Sequence, residues 1–274
     1  MVKPAVIYIL GTGHSGSTIL QYLLAGRPNI IGLGEVRQLT DRRNWRQGLV
    51  EPCSCGAAVE TCSLWGDLEP VAAELSVDWY KRVLSKVSIL YPGTTHLVDS
   101  SKSTKSIHPW LKLLDEDLIS GIHALYLVRD VRGWAVSDET TRKRKGRPPQ
   151  PLFLSMVDWW KNQKLFLRFL KTNEKNIAFL TVSYESLIFR TDAQLSRIAD
   201  FVGINGDQFN WEDGLKKAVV HDVWGNRMKN DFSTRSRLTY DDRWQYRMSA
   251  SLPAILLFPI WRMNQKLRRD GGLI

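Results

Sequence analysis

The sequence predicts a single α/β domain with a mostly parallel central sheet flanked by helices, and three observations predict it. Short apolar, β-branched runs recur at Val6–Leu10, Thr95–Val98, His123–Val128 and Ile177–Val182. Segments with helical spacing lie between them, at Thr18–Ala25, Ile107–Leu114 and Phe153–Leu170. Strands alternating with helices need right-handed crossovers, which set successive strands parallel. Third, each run leads into a polar segment able to hold anions: GTGHSGST, DSSKS, RDVRGWAVS and SYESL. In such a sheet ligands bind beyond the carboxyl ends of the strands, so the four segments are expected along one edge. The 274 residues carry no internal repeat and no low-complexity break, so the domain is expected to span residues 1–274. Irregular insertions are expected near 42–66 and 142–151.

The amino-terminal MVKPAVIYIL runs from one lysine into a six-residue apolar stretch and then glycines. It has no long apolar region with a small-residue cleavage site, so it reads as a strand and not as a signal peptide. Gly11, Gly13 and Gly16 follow, and a helix is expected to start near Ser17. Strand, glycine loop and helix together form a nest of inward N–H groups with a positive helix end, suited to a phosphate. The loop resembles that of ATP and GTP enzymes, but Ser17 stands where they place a lysine. Such enzymes use the lysine to bridge the β- and γ-phosphates and a carboxylate to hold magnesium. A ligand with one 5′-phosphate joined to a less charged group needs neither.

Glu35 follows the apolar run IIGLG. Cys53, Cys55 and Cys62 are the only cysteines. An odd number in one loop is not a secreted disulfide framework, which points to a reducing cytosol. Their spacing is not that of a metal site and a fourth ligand would have to come from elsewhere, so no metal is expected. The run RKRKGR within 142–151 reads as a solvated loop or a lid over an acidic acceptor. The apolar stretch Leu252–Trp261 is too short to span a bilayer and contains Pro253 and Pro259. With Arg262, Lys266, Arg268 and Arg269 behind it, this segment offers either core packing with a basic edge or peripheral contact with an anionic membrane.

Lys and Arg number 38 against 28 Asp and Glu, a formal charge of +10. That favours anionic partners. The excess is spread along the chain and matches no nucleic-acid recognition motif, so nucleic acid is not the expected partner. The eleven tryptophans are expected mainly in the core.

HSGST, residues 14–18, resembles the 5′-phosphosulfate loop of sulfotransferases that use 3′-phosphoadenosine 5′-phosphosulfate, with His14 in place of their lysine or arginine. RDVRGWAVS resembles the same family's 3′-phosphate motif, keeping Arg129 and Ser137 eight apart; Val131 and Gly133 replace its usual proline and aspartate. PCSCGAAVETCSLW, VDSSKS, SYESL, HDVWGNRMKNDF and DDRW are similar to stretches of bacterial members. The resemblance implies a P-loop-like fold, the phosphosulfate nucleotide as co-substrate and no required metal. It implies donor contacts from Gly13, His14, Ser15, Gly16, Ser17, Thr18, Arg129, Ser137 and Tyr184, with Arg227 and Lys229 as further contacts to the 3′-phosphate. Glu35 is then the expected base, His108 and His96 its alternatives, and His14, Lys102 and the loop amides are the candidates for stabilising the leaving group. The implied reaction is sulfuryl transfer to a hydroxyl or amine of a carbohydrate, lipid headgroup, tyrosine or small metabolite, in the cytoplasm. Rival readings are a phosphoryl-transfer enzyme dependent on magnesium and ATP, and a nucleotide-binding protein without catalysis.

Overall fold

The computed structural model describes residues 2–48, 52–70, 75–204, 210–225 and 238–273. Along the chain these form β1 (Ala5–Gly11), α1 (Ser17–Ala25), β2 (Ile30–Gly34), α2 (Val36–Thr40), α3 (Arg42–Gly48), α4 (Val77–Leu90), β3 (His96–Lys102) and α5 (His108–Asp115). There follow β4 (Gly121–Val128), α6 (Val131–Arg144), α7 (Leu152–Thr172), β5 (Ala178–Ser183), α8 (Tyr184–Phe189), α9 (Thr191–Val202), α10 (Trp211–Lys217), α11 (Met248–Leu256) and α12 (Phe258–Asp270).

Among the described residues the strands make one sheet in the order β2-β3-β1-β4-β5, with every pairing parallel. All seven residues of β1 are buried. Alternate side chains serve opposite faces: Val6, Tyr8 and Leu10 join one apolar cluster, Ile7 and Ile9 the other. A central parallel strand covered on both faces has no polar side to display, which is why its sequence is continuously apolar. Trp65, Trp110 and Trp159 are fully buried, in keeping with a core role for much of the tryptophan content.

Local chemistry sets the helix ends. Asp130 caps α6 by accepting the Arg132 N–H at 2.9 Å, and Asn210 caps α10 by accepting from Glu212 and Asp213. In α4 Trp79, Tyr80, Val83 and Val87 are buried, an amphipathic stripe turned to the core. Gly203 ends α9 in the left-handed conformation, φ 75°.

The apolar run Ile30–Gly34, which is not among the four runs expected as strands, forms β2 although two of its five residues are glycines, a residue depleted in strands. Tertiary packing decides it: Gly32 pairs with Val98 of β3 and bridges to Val220 on its other side. The DSSK stretch is not a loop beyond its strand but the end of β3. The segment 42–66 contains α3 and a short 3-10 turn at Val59–Thr61, and α6 extends through Arg144 into the basic stretch. Among the described residues no helix is long and apolar enough to cross a membrane.

Candidate active site

In this strand order the connection from β1 runs outward to one side of the sheet and that from β4 to the other. The crevice between their carboxyl ends is the switch point where α/β sheets bind ligands. The GTGHSGST loop and Arg129 flank it. The loop leads from β1 into α1, whose first-turn N–H groups have no partner within the helix. At the loop's end Gly16 adopts φ 95°, and a Cβ there would stand 2.6 Å from the Tyr184 ring. Glycine is therefore required at that position for conformation and for space.

Two donors fix the peptide planes of the loop. Trp134 Nε1 donates to the Gly13 carbonyl at 2.7 Å, and Arg129 donates to the His14 carbonyl at 2.9 Å. In a trans peptide the N–H points away from its carbonyl, so the N–H groups of His14 and Ser15 face away from these donors. Within the loop the hydroxyls of Thr12 and Ser15 lie 2.8 Å apart. His14 is left-handed, φ 67°. Burial, reinforced by Lys102 and Arg129, lowers its pKa from the ordinary histidine value, against an opposing pull from Asp138. At neutral pH it is therefore an uncharged imidazole with one N–H to donate.

Lys102 joins three parts of the site. Its Nζ lies 2.5 Å from Glu35 Oε1 and 3.3 Å from Ser17 Oγ, and both Lys102 and Glu35 side chains are largely covered. Ser17 opens α1 where the glycine loop ends, Glu35 sits just after β2 at the start of α2, and Lys102 ends β3, so three of the residues expected from the sequence converge. Lys102 has φ 65°, a left-handed conformation that a lysine adopts only when its surroundings hold it. Asp99 fixes the residue just before Lys102. Its carboxylate accepts from the Ser101 N–H at 2.8 Å, the Ser101 hydroxyl at 2.5 Å and Trp110 Nε1 at 2.7 Å. Ser101 in turn accepts the Arg37 N–H at 3.0 Å, tying β3 to α2. Burial pushes the Asp99 carboxyl up to about 6 despite those hydrogen bonds.

Arg129 follows the last residue of β4 directly, with its side chain 6% exposed. One arm holds the His14 carbonyl and the other pairs with Asp241 at 2.8 Å, while Nε is buried with no hydrogen-bond partner among the described residues. The guanidinium lies 4.6 Å over the Tyr184 ring. Burial alone would raise the Asp241 carboxyl; hydrogen bonds from Arg243 and Arg129 outweigh it and hold the group well below the usual carboxylate range. Asp241 is the residue of this site that sequence reasoning missed. The signal was the DDRW stretch, which shows no link to an arginine 112 positions earlier.

Ser137 lies half-buried on α6, and Tyr184 is buried against Gly16 and Arg129. Asp130 serves structure: it accepts both arms of Arg132 and pairs with Arg268 at 2.8 Å, with Glu185 alongside. That pairing turns Arg268 inward from the basic edge expected of the C-terminal segment. His96 lies at the opposite end of β3, where its Nε2 meets the Val202 carbonyl at 3.2 Å, and His108 is exposed at the start of α5. The geometry thus gathers Glu35, and neither histidine, with Lys102 and the loop. Arg227 and Lys229 lie outside the described residues. A cavity of about 500 Å³ between α6, α7 and α11 is lined by residues such as Leu152, Phe153, Arg247 and Leu252. It contains none of the loop, Lys102 or Arg129, so its size does not place the chemistry there.

Comparison with known proteins follows the same lines. Residues 4–208 match the model of a family described as the sulfotransferase family. Two solved structures resemble the chain at TM-score 0.56. The sulfotransferase domain from the Synechococcus PCC 7002 olefin synthase is 19% identical, over 94% of this chain and 96% of that one. The sulfotransferase domain from the curacin biosynthetic pathway is 18% identical, over 94% and 99%. At such identities the likeness speaks for the fold. No curated protein matches the chain by sequence.

Proposed function

Because the chain belongs to the sulfotransferase family, we propose that it moves a sulfuryl group from 3′-phosphoadenosine 5′-phosphosulfate to an acceptor hydroxyl or amine, leaving adenosine 3′,5′-bisphosphate. The observation that carries this reading is the position of Lys102, between Ser17, where the glycine loop ends, and Glu35. One cation is thereby shared between the phosphate nest and the carboxylate best placed to take a proton.

The residues present suit such a donor. The glycine loop and the start of α1 offer N–H groups and the hydroxyls of Ser15, Ser17 and Thr18. Arg129 has a buried Nε with no hydrogen-bond partner among the described residues, and a carboxylate already rests on its outer arm where a phosphate oxygen would bind. Ser137, on the helix that follows Arg129, adds a hydroxyl for the 3′-phosphate, and the Tyr184 ring backs the arginine. Gly13 and His14 complete the loop.

When bound, the nucleotide supplies an activated sulfuryl group, whose bond to the phosphate oxygen breaks as the acceptor oxygen or nitrogen bonds to sulfur. Glu35 accepts the acceptor's proton as that bond forms. Lys102, on the loop side of Glu35, counters the negative charge that collects on the departing phosphate, and the His14 N–H donates to the same charge. Alignment does the remaining work, because Glu35 and Lys102 are both held by the rigid end of β3 and its neighbours. The acceptor is proposed as a hydroxyl-bearing carbohydrate, lipid headgroup, tyrosine or small metabolite.

The test is calorimetric titration of the purified chain with adenosine 3′,5′-bisphosphate, AMP and ATP, each with and without magnesium, followed by turnover of the labelled donor against an acceptor panel. Tight, metal-independent binding of the bisphosphate is expected. Preference for magnesium ATP would replace this reading with phosphoryl transfer. Bisphosphate binding with no turnover on any acceptor would leave a nucleotide-binding protein.

A further inference from the structure

The three cysteines gain in the fold what their sequence spacing lacks. Cys53, Cys55, Cys62 and His221 come together with all four ligating atoms within 4.8 Å of one another. Cys62 Sγ lies 3.7 Å from Cys55 Sγ and 3.2 Å from His221 Nδ1, and Cys53 Sγ lies 3.8 Å from the same nitrogen. A tetrahedron with metal–sulfur bonds of about 2.3 Å and a metal–nitrogen bond of about 2.0 Å has edges of roughly 3.5 to 3.8 Å. We infer that Cys53, Cys55, Cys62 and His221 form a closed Cys3His site for one structural zinc ion, a site independent of the sulfuryl-transfer reading.

The surroundings are those of a built site. A bound His221 must present Nδ1 as a lone pair, so its proton sits on Nε2, and Nε2 lies 2.6 Å from the Tyr91 hydroxyl, which can accept it. The backbone turn at 53–56 is closed by Gly56 N–H donating to the Cys53 carbonyl at 2.8 Å, which brings Cys53 and Cys55 to one side. Trp65 Nε1 donates to the His221 carbonyl at 2.9 Å, and Ser54 exchanges hydrogen bonds with the Val220 carbonyl and the Asp222 N–H. Four protein ligands leave no open position, so the ion has a structural role. Three sulfurs and one imidazole in tetrahedral array suit zinc better than the oxygen-seeking divalent ions. Cys53, Cys62 and His221 are buried while Cys55 is exposed, so the ion would enter and leave by way of Cys55.

The site also has a structural consequence. His221 donates its backbone N–H to the Gly32 carbonyl at 2.7 Å, and Gly32 donates to the Val219 carbonyl at 2.9 Å, so the segment around His221 covers the outer edge of β2. A metal there would tie the 53–62 loop to that edge, three residues before Glu35 in the sequence.

The test is metal analysis of the full chain purified without added metal, with X-ray absorption at the zinc edge. About one zinc per chain is expected, with a first shell of three sulfurs and one nitrogen. Cys55→Ser, an exposed substitution that leaves the core intact, should reduce the bound metal to under about one tenth per chain after the same dialysis against a chelator that leaves the native chain loaded. Cys62→Ser should do the same, and circular dichroism of both variants would separate loss of metal from loss of fold. Three results would overturn the inference: less than about one tenth equivalent of metal with none taken up on adding zinc, a Cys55–Cys62 disulfide in the freshly isolated chain, or full zinc retained by folded Cys55→Ser.

Discussion

Replacing Arg129 by alanine should remove the discrimination between adenosine 3′,5′-bisphosphate and AMP. The guanidinium is 6% exposed and aimed by two fixed contacts, the His14 carbonyl at 2.9 Å and Asp241 at 2.8 Å. A hydrogen bond to a charged group in such a setting is worth about 1.5 to 3 kcal/mol, so the bisphosphate should bind roughly 10- to 150-fold more weakly. AMP, which has no 3′-phosphate, should change by less than about 3-fold if the loop keeps its shape. The chain should still fold, because Asp241 keeps Arg243 as a partner at 2.6 Å. Calorimetry at fixed ionic strength gives both affinities, and circular dichroism confirms folding. An equal loss for the two nucleotides would show that Arg129 only shapes the loop through His14, and no loss for either would place the 3′-phosphate elsewhere.

Other consequences can be tested with the same protein. Glu35→Gln should lower kcat by about 100- to 10,000-fold while bisphosphate affinity stays within about 3-fold, because only proton removal is lost; unchanged turnover would remove Glu35 as the base. Burial lowers the His14 pKa in the free chain, and a bound anion opposes that shift. Binding should therefore take up a proton, and affinity should fall as pH rises through the histidine range; calorimetry in buffers of different ionisation enthalpy reads the uptake, and pH-independent binding would exclude a charged role for His14. Gly16→Ala should lose donor binding and destabilise the chain by about 1–3 kcal/mol, since φ 95° and a Cβ 2.6 Å from the Tyr184 ring strain any side chain there; a normal melting curve would contradict the packing. Asp99 titrates near 6 in the folded chain against an ordinary 3.8, so its contribution is complete below about pH 4 and is lost as pH rises through 6. That is about 3 kcal/mol over the window, and Asp99→Asn should flatten the stability profile there; an unaltered slope between pH 4 and 6 would refute it.

The sequence by itself determined the fold class, four of the sheet's strands and the edge of the sheet to which the candidate residues are carried. These were legible because each is local: β1 is continuously apolar, the glycines of 11–16 mark a turn into a helix, and Arg129 follows its strand directly. The candidate residues Ser17, Glu35 and Lys102 could also be named from local motifs, but not their meeting, since 67 and 85 positions separate Lys102 from its two partners. Other features belong to the tertiary structure alone. Ile30–Gly34 becomes a strand because β3 and the Val220 segment flank it. Asp241 comes to rest on Arg129, and His221 joins cysteines 159 and 168 positions away. The physical reason is the same in each case. Turn chemistry and hydrophobic period act over a few residues and are written in order along the chain, whereas a contact between distant side chains exists only after burial of the core has fixed how the strands and helices lie against one another.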